Sequence, residues 1–236
     1  MKTGIFLSYR GLGANLLHLT YCHQIAKKFG PVSLITLCPN LDKALKDDPA
    51  FSEIICLDKF HKKFFDLFKM SNFLKKFDFE NIFIFYPSLR HYLSSKLAGI
   101  KNIYHYPLFK KKNLHLVKAA KKFTEISLDI ENCPTETKFV INDLKAKQLK
   151  KNGCKKIILG ISSSGPTTKW GYLNYLSLIK KLNGLGEFYF YLLCGPEDQN
   201  EANHIIDQID KKNCESLASK DIAEIIYYIH LSDIFI

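Results

Sequence analysis

The chain has 236 residues, 47% of them hydrophobic and 24% charged, with a formal net charge of +11. That length supports one or two domains with substantial cores, and that balance excludes a disordered or fibrous chain. No apolar run approaches the eighteen or so residues of a spanning helix, and the early Ser8-Tyr9-Arg10 fits a buried first strand better than a signal peptide.

The charge is unevenly spread. Residues 1–150 carry 25 Lys and Arg against 13 Asp and Glu, whereas residues 151–236 carry 9 against 10. A basic first half suits an anionic partner such as a membrane surface or a phosphorylated glycolipid. Only Arg10 and Arg90 are arginines in a chain rich in Lys, Ile, Asn and Phe, so AT-rich coding explains the excess equally well. Nucleic acid is disfavoured because no zinc-finger spacing, RNP-type motif or Gly/Arg segment occurs. Seven cysteines form no C-x-x-C pair and sit in or beside apolar runs, which reads as reduced thiols in a cytoplasmic protein.

In chain order, residues 3–8 read as a strand and 15–29 as a helix with Leu16, Leu19, Ile25 and Ala26 on one side. Strands follow at 32–37 and 54–57, then phenylalanines at helical spacing over 60–77. Next come a strand at 81–85, a helix at 88–98, a strand at 102–105 and an amphipathic helix at 114–128. Such alternation predicts an α/β fold with a parallel sheet covered on both faces. Turn chemistry at Asn132-Cys133-Pro134 and a charged helix at 143–151 set a boundary, giving domains 1–150 and 151–236.

A second series starts at Lys156: helix 172–185, strand 188–193, helix 197–209 and helix 221–229. The chain stops on Ile234-Phe235-Ile236, an apolar strand with no helix after it, so the second domain is expected to be incomplete. The most informative stretch lies at the start of this series. Ile157, Ile158 and Leu159 lead into Ser162, Ser163, Ser164 and Gly165, then Lys169-Trp170, then the helix. Strand, polar loop, lysine and helix N-terminus suit phosphate, because free N–H groups and the positive end of a helix dipole converge there.

Taken together, these motifs resemble glycosyltransferase family 9, the ADP-heptose:lipopolysaccharide heptosyltransferases. The resemblance runs over essentially the whole chain: Gly11-Leu12-Gly13-Ala14-Asn15, Phe77-Asp78 through Ala98-Gly99-Ile100, the loop from Ser162 to Lys169-Trp170, and Leu192 to Asp198. It implies a GT-B fold of two Rossmann-type, doubly wound parallel-sheet domains. It also implies a bacterial, cytoplasmic enzyme of lipopolysaccharide assembly, in contact with the inner membrane at most peripherally. The implied reaction is inverting, metal-independent transfer of a heptose or similar sugar from a nucleotide-sugar donor such as ADP-heptose to an anionic glycolipid acceptor. No cofactor is needed, and the histidines show no metal-ligand spacing.

Carried over residue by residue, the resemblance assigns donor binding to Ser163, Ser164, Lys169, Gly195, Glu197, Ser219 and Lys220. Gly13, Asn15 and His18 fall on the acceptor side, although His18 can equally lie in the core. Each donor residue also has an ordinary structural reading, Ser163 and Ser164 as turn or cap residues and Lys169 as a surface lysine. Trp170 fits a packing role under the following helix. Lys110-Lys111-Lys112 beside Tyr104 to Tyr106 can meet an anionic headgroup or simply solvent. An NAD-type reading of Gly11-x-Gly13 fails for want of a third glycine and of an acidic end to the second strand.

Two departures qualify the resemblance. The aspartate that the family uses to deprotonate the acceptor falls on Ala14, or on Asn15 if the register moves by one, and neither accepts a proton. The family's D-S/T-G-x-x-H loop would follow Ile236. A non-catalytic GT-B relative that binds nucleotide sugar or glycan, or a sugar-nucleotide epimerase of the same fold, are therefore alternatives.

Overall fold

A computed structural model describes residues 2–57, 66–107, 114–142, 146, 153–163 and 168–236. The chain forms two compact units, Met1–Val140 and Ile141–Ile236, so residue 150 lies inside the second.

The first unit runs β1 (Thr3–Leu7), α1 (Leu12–Phe29), β2 (Val32–Thr36), α2 (Leu41–Ala44), β3 (Phe51–Cys56), α3 (Asp66–Lys75), β4 (Asn81–Ile84), α4 (Leu89–Leu97), β5 (Asn102–His105) and α5 (Leu116–Leu128). Its strands form one parallel sheet in the order β3-β2-β1-β4-β5. Every residue of β1, β2 and β4 is buried. That is why those segments are mostly apolar on both sides rather than alternating, with Thr3, Ser33, Thr36 and Asn81 as their buried polar residues: helices cover both faces. One face packs Ile5, Leu34 and Phe83 against Leu19, Cys22 and Ile25 of α1 and Ala120 and Phe123 of α5. The other packs Phe6, Ile82 and Ile84 against Met70, Phe73 and Leu74 of α3 and against Ile100.

The second unit contains β6 (Lys155–Gly160), α6 (Tyr172–Asn183), β7 (Phe188–Leu193), a 3-10 turn Pro196–Asp198, α7 (Gln199–Ile206), a second such turn Lys211–Asn213, β8 (Cys214–Ser216), α8 (Ile222–Leu231) and β9 (Ile234–Phe235). Its sheet is parallel in the order β8-β7-β6-β9. Ile157, Leu159, Phe190 and Leu192 face α6 and α7, while Ile158 and Tyr191 face Tyr228 of α8.

Several expectations shift in detail. The first helix begins at Leu12, three residues ahead of the expected 15. The helix expected at 197–209 starts instead with the 3-10 turn Pro196–Asp198, in which the Asp198 N–H donates to the Gly195 carbonyl at 3.0 Å, and the α-helix follows from Gln199. Strand β8 was not anticipated; three residues with two polar ones carry no periodic signal. The expected helix at 143–151 lies outside the described residues apart from Ala146, which is helical and buried, as do residues 60–65 of the phenylalanine-rich segment.

Candidate functional site

Both sheets reverse their winding at the first strand of the unit: β1 lies between β2 and β4, and β6 between β7 and β9. In open α/β sheets the crevice at the carboxyl ends of the strands beside such a reversal is where ligands bind. Each unit therefore offers one candidate crevice, and the two are built very differently.

In the first unit, the turn after β1 is closed by its own side chains. Asn15 is 2% exposed. Its amide donates to the Tyr9 carbonyl at 3.0 Å and to the Gly11 carbonyl at 2.7 Å, and its oxygen accepts from the Thr36 hydroxyl at 2.7 Å. His18 is fully buried, its Nδ1 2.6 Å from the Ala14 carbonyl, its Nε2 3.4 Å from the Tyr106 hydroxyl and its ring 4.9 Å from the Tyr9 ring. Burial holds its pKa below the ordinary histidine range, so it is a neutral core group at pH 7. Asn15 and His18, expected on the acceptor side, are both buried: one ties the turn together and the other takes the core position. Gly13 is exposed, with nothing within 4 Å of where a β-carbon would stand.

In the second unit, polar and charged groups meet at the ends of β6 and β7. Ser162 accepts from the Gly195 N–H at 2.9 Å and donates to Asp198 Oδ2 at 2.5 Å, joining the two strand ends. Lys169 Nζ donates to Asp198 Oδ1 and, at 3.2 Å, to Glu201 Oε1. Asp198 and Glu201 are three residues apart at the start of α7, which puts both carboxylates on one side of that helix. The Lys169 hydrogen bond, and then that of Ser162, hold the Asp198 pKa below the usual carboxylate value. Asp198 and then Glu201 raise that of Lys169, so the pair is ionised at pH 7. Two of the three ammonium protons go to carboxylates, leaving one donor.

Around this cluster the other predicted donor residues take distinct places. Ser163 shares a hydrogen bond with the Thr168 hydroxyl. Ser164 lies outside the described residues, as does the Lys110–Lys112 run. Glu197 is exposed, its carboxylate folded over Gly195 so closely that a β-carbon there would meet Oε1 at 2.4 Å. Ser219 is exposed just after β8, and the Lys220 ammonium sits 5.8 Å from the Tyr228 ring centroid. Trp170 is 52% exposed yet meets Tyr175 edge-on at 5.0 Å, and the Tyr175 hydroxyl donates to the Gly160 carbonyl at 2.8 Å. The indole thus packs against the helix that follows while staying half exposed. Sequence reasoning missed Ser162, Asp198 and Glu201 as a unit. The i, i+3 spacing of the carboxylates after Gly195-Pro196 was the available signal.

The first unit also contains a cleft of about 780 Å³ beside β5 and α5, lined by Tyr104, Tyr106, Leu114, Lys122, Phe123 and Ile126. Among the described residues no helix is long and apolar enough to cross a membrane.

No family model matches the chain, and no curated protein matches it in sequence. Solved structures do match it in fold. Heptosyltransferase WaaC of E. coli with ADP is 13% identical over 100% of this chain and 80% of its own, with a TM-score of 0.74. ADP-heptose lps heptosyltransferase II of E. coli is 15% identical over 100% and 78%, at 0.71. A family 9 glycosyl transferase from Veillonella parvula is 12% identical over 99% and 74%, at 0.72. At such identities the likeness is one of fold: the chain has the two-sheet α/β architecture of these GT-B-type glycosyltransferases.

Proposed function

We propose that this chain, folded as those glycosyltransferases are, is a heptosyltransferase-like enzyme of surface-glycan assembly. The donor is a nucleoside-diphosphate sugar, with ADP-heptose the first choice because the similar structures include one with ADP. The acceptor is an anionic glycolipid, reached from the cytoplasmic side with at most peripheral membrane contact.

The observation that carries this reading is the Lys169 ammonium at the carboxyl end of β6, held by Asp198 and Glu201 with one proton to spare. In inverting transfer the acceptor hydroxyl attacks the anomeric carbon while the bond to the diphosphate oxygen breaks and the electron pair leaves with the nucleotide. Charge therefore develops on the diphosphate, and a fixed donor aimed at it lowers the barrier. Asp198 and Glu201 hold Lys169 in one place but also offset its charge, so its contribution is directional more than Coulombic. Ser163, the α6 N-terminus, Gly195 and Glu197 complete the donor side, with Ser219 and Lys220 at the neighbouring strand end. The reaction as drawn needs no metal.

The acceptor proton needs a base, and the first turn supplies none: Ala14 has no polar side-chain atom and Asn15 is fully engaged. That observation favours a second reading, a GT-B scaffold that binds nucleotide sugar without turning it over. Calorimetric titration with ADP-heptose, a UDP-sugar and NAD, followed by an assay for released ADP, separates the cases. Selective ADP-heptose binding with ADP release supports the enzyme, selective binding of either nucleotide sugar without release supports the scaffold, and no preference for a nucleotide sugar over NAD sinks both.

A further inference from the structure

Helix α4 is built inside out. Its buried residues are polar, His91 at 4%, Ser94 at 0% and Ser95 at 1% exposed, while Leu89, Leu93 and Leu97 stand out at 51%, 37% and 48%. At about 100° per residue the three leucines, four apart, fall within about 80° of arc on the side opposite the serines. The buried side has a structural reason. Ser94 donates to the Leu67 carbonyl of α3 at 3.1 Å and Ser95 to the His91 carbonyl at 2.9 Å, and Ser71 of α3 is also buried, so small side chains let α3 and α4 lie close together. The leucines have no such reason, since the core cluster beneath draws nothing from α4 itself and only Ala98 at its C-cap.

Charge completes the pattern. Arg90 and Lys96 flank the leucine row, each about 20° outside it on the helical wheel. On the neighbouring α3, Phe68 is 56% exposed next to Lys69, with Lys75 further along. The two helices carry one acidic residue, Asp66, which is buried and 3.9 Å from Lys69. Along its length the apolar ridge is flanked by Arg90 and Lys96, with Asp78 and Glu80 only beyond its C-terminal end, and so complements a surface that is apolar beneath and anionic on top. That is the boundary between headgroups and acyl chains of an anionic bilayer.

We propose that the α3–α4 face docks the protein on anionic membrane, with Leu89, Leu93 and Leu97 entering the headgroup boundary and Lys69, Arg90 and Lys96 meeting lipid phosphates. This deepens the peripheral contact proposed above but draws on a different observation. Its test reads no nucleotide, so either can fail alone.

The test is co-sedimentation of the full chain with phosphatidylcholine vesicles, with and without phosphatidylglycerol. Binding is expected with phosphatidylglycerol only, and it weakens as salt is raised. Leu93→Ser with Leu97→Ser reduces partitioning by roughly tenfold or more, and Lys96→Glu by about fivefold or more, with circular dichroism unchanged because all three sites are exposed. Equal binding to both vesicle types, or leucine and lysine variants that sediment as the parent does, overturns the proposal. So does a dimer in analytical ultracentrifugation that the same leucine variants convert to monomer, since the face then belongs to a second copy.

Discussion

The two strand–turn–helix units that open the two sheets have the same topology and opposite chemistry. After β1 the chain spends its polar groups on itself: Asn15 bonds two carbonyls and Thr36, and a neutral His18 stacks on Tyr9. After β6 the polar groups are ionised and only partly satisfied by one another, with Lys169 between Asp198 and Glu201. A reversal of strand order provides a place for a ligand, but the residues at the turn decide whether it is a site or a plug. By that criterion the second unit is the one to which the proposed nucleotide-sugar site is assigned.

The comparison breaks most sharply at Asn15. Replacing it with Leu leaves the buried Thr36 hydroxyl without its acceptor and removes the amide donors to the Tyr9 and Gly11 carbonyls, and about 2 kcal/mol of stability is expected to go, read as a lower urea midpoint. Asn15→Asp loses a comparable amount at pH 7, because it places a charge where the amide was a donor.

A second difference shows in acid. Burial first, and Arg90 and His105 after it, push the His91 pKa down to about 4 from 6.5. The unfolded chain then binds that proton more readily than the folded one, so stability falls as pH drops from about 6.5 towards about 4, by up to about 3 kcal/mol. His18 and His105 shift the same way and add to the slope. His91→Gln should flatten part of the loss in urea melts taken at pH 7 and pH 5.

The ionic cluster responds in the complementary range. The Asp198 pKa is lowered, so its contribution is present above the ordinary value of 3.8 and disappears as pH falls through the folded one. Asp198→Asn should melt below the parent at pH 7, and the gap should narrow as pH falls below 3.8. The smallest effect belongs to Ala14, which is half-buried: Ala14→Asp is expected to change stability by less than about 0.5 kcal/mol. In the ADP-release assay it tests whether a missing base limits turnover.

The alternation of elements was legible because the strand segments buried on both faces are apolar runs, as at Ile5–Leu7, Ile82–Ile84 and Phe190–Leu192. Loop contents were legible only as a set. Ser163 and Lys169 could be placed at the end of β6, but nothing in the sequence shows that Lys169 would turn to Asp198 and Glu201, more than 25 residues away. The inward turn of Asn15 and His18 was not legible, because a polar residue early in a helix looks the same whether it faces solvent or bonds the chain around it. The leucines of α4 were hidden by their own periodicity, since spacing identifies an apolar face without saying which way it points.

The most direct measurement is a pair of titrations, ADP and adenosine, into the parent chain and into Lys169→Met. If the ammonium meets the diphosphate, ADP weakens by about tenfold, one charge-assisted hydrogen bond, while adenosine is unchanged. Should both ligands weaken together, or neither, Lys169 only shapes the loop and the diphosphate is held elsewhere.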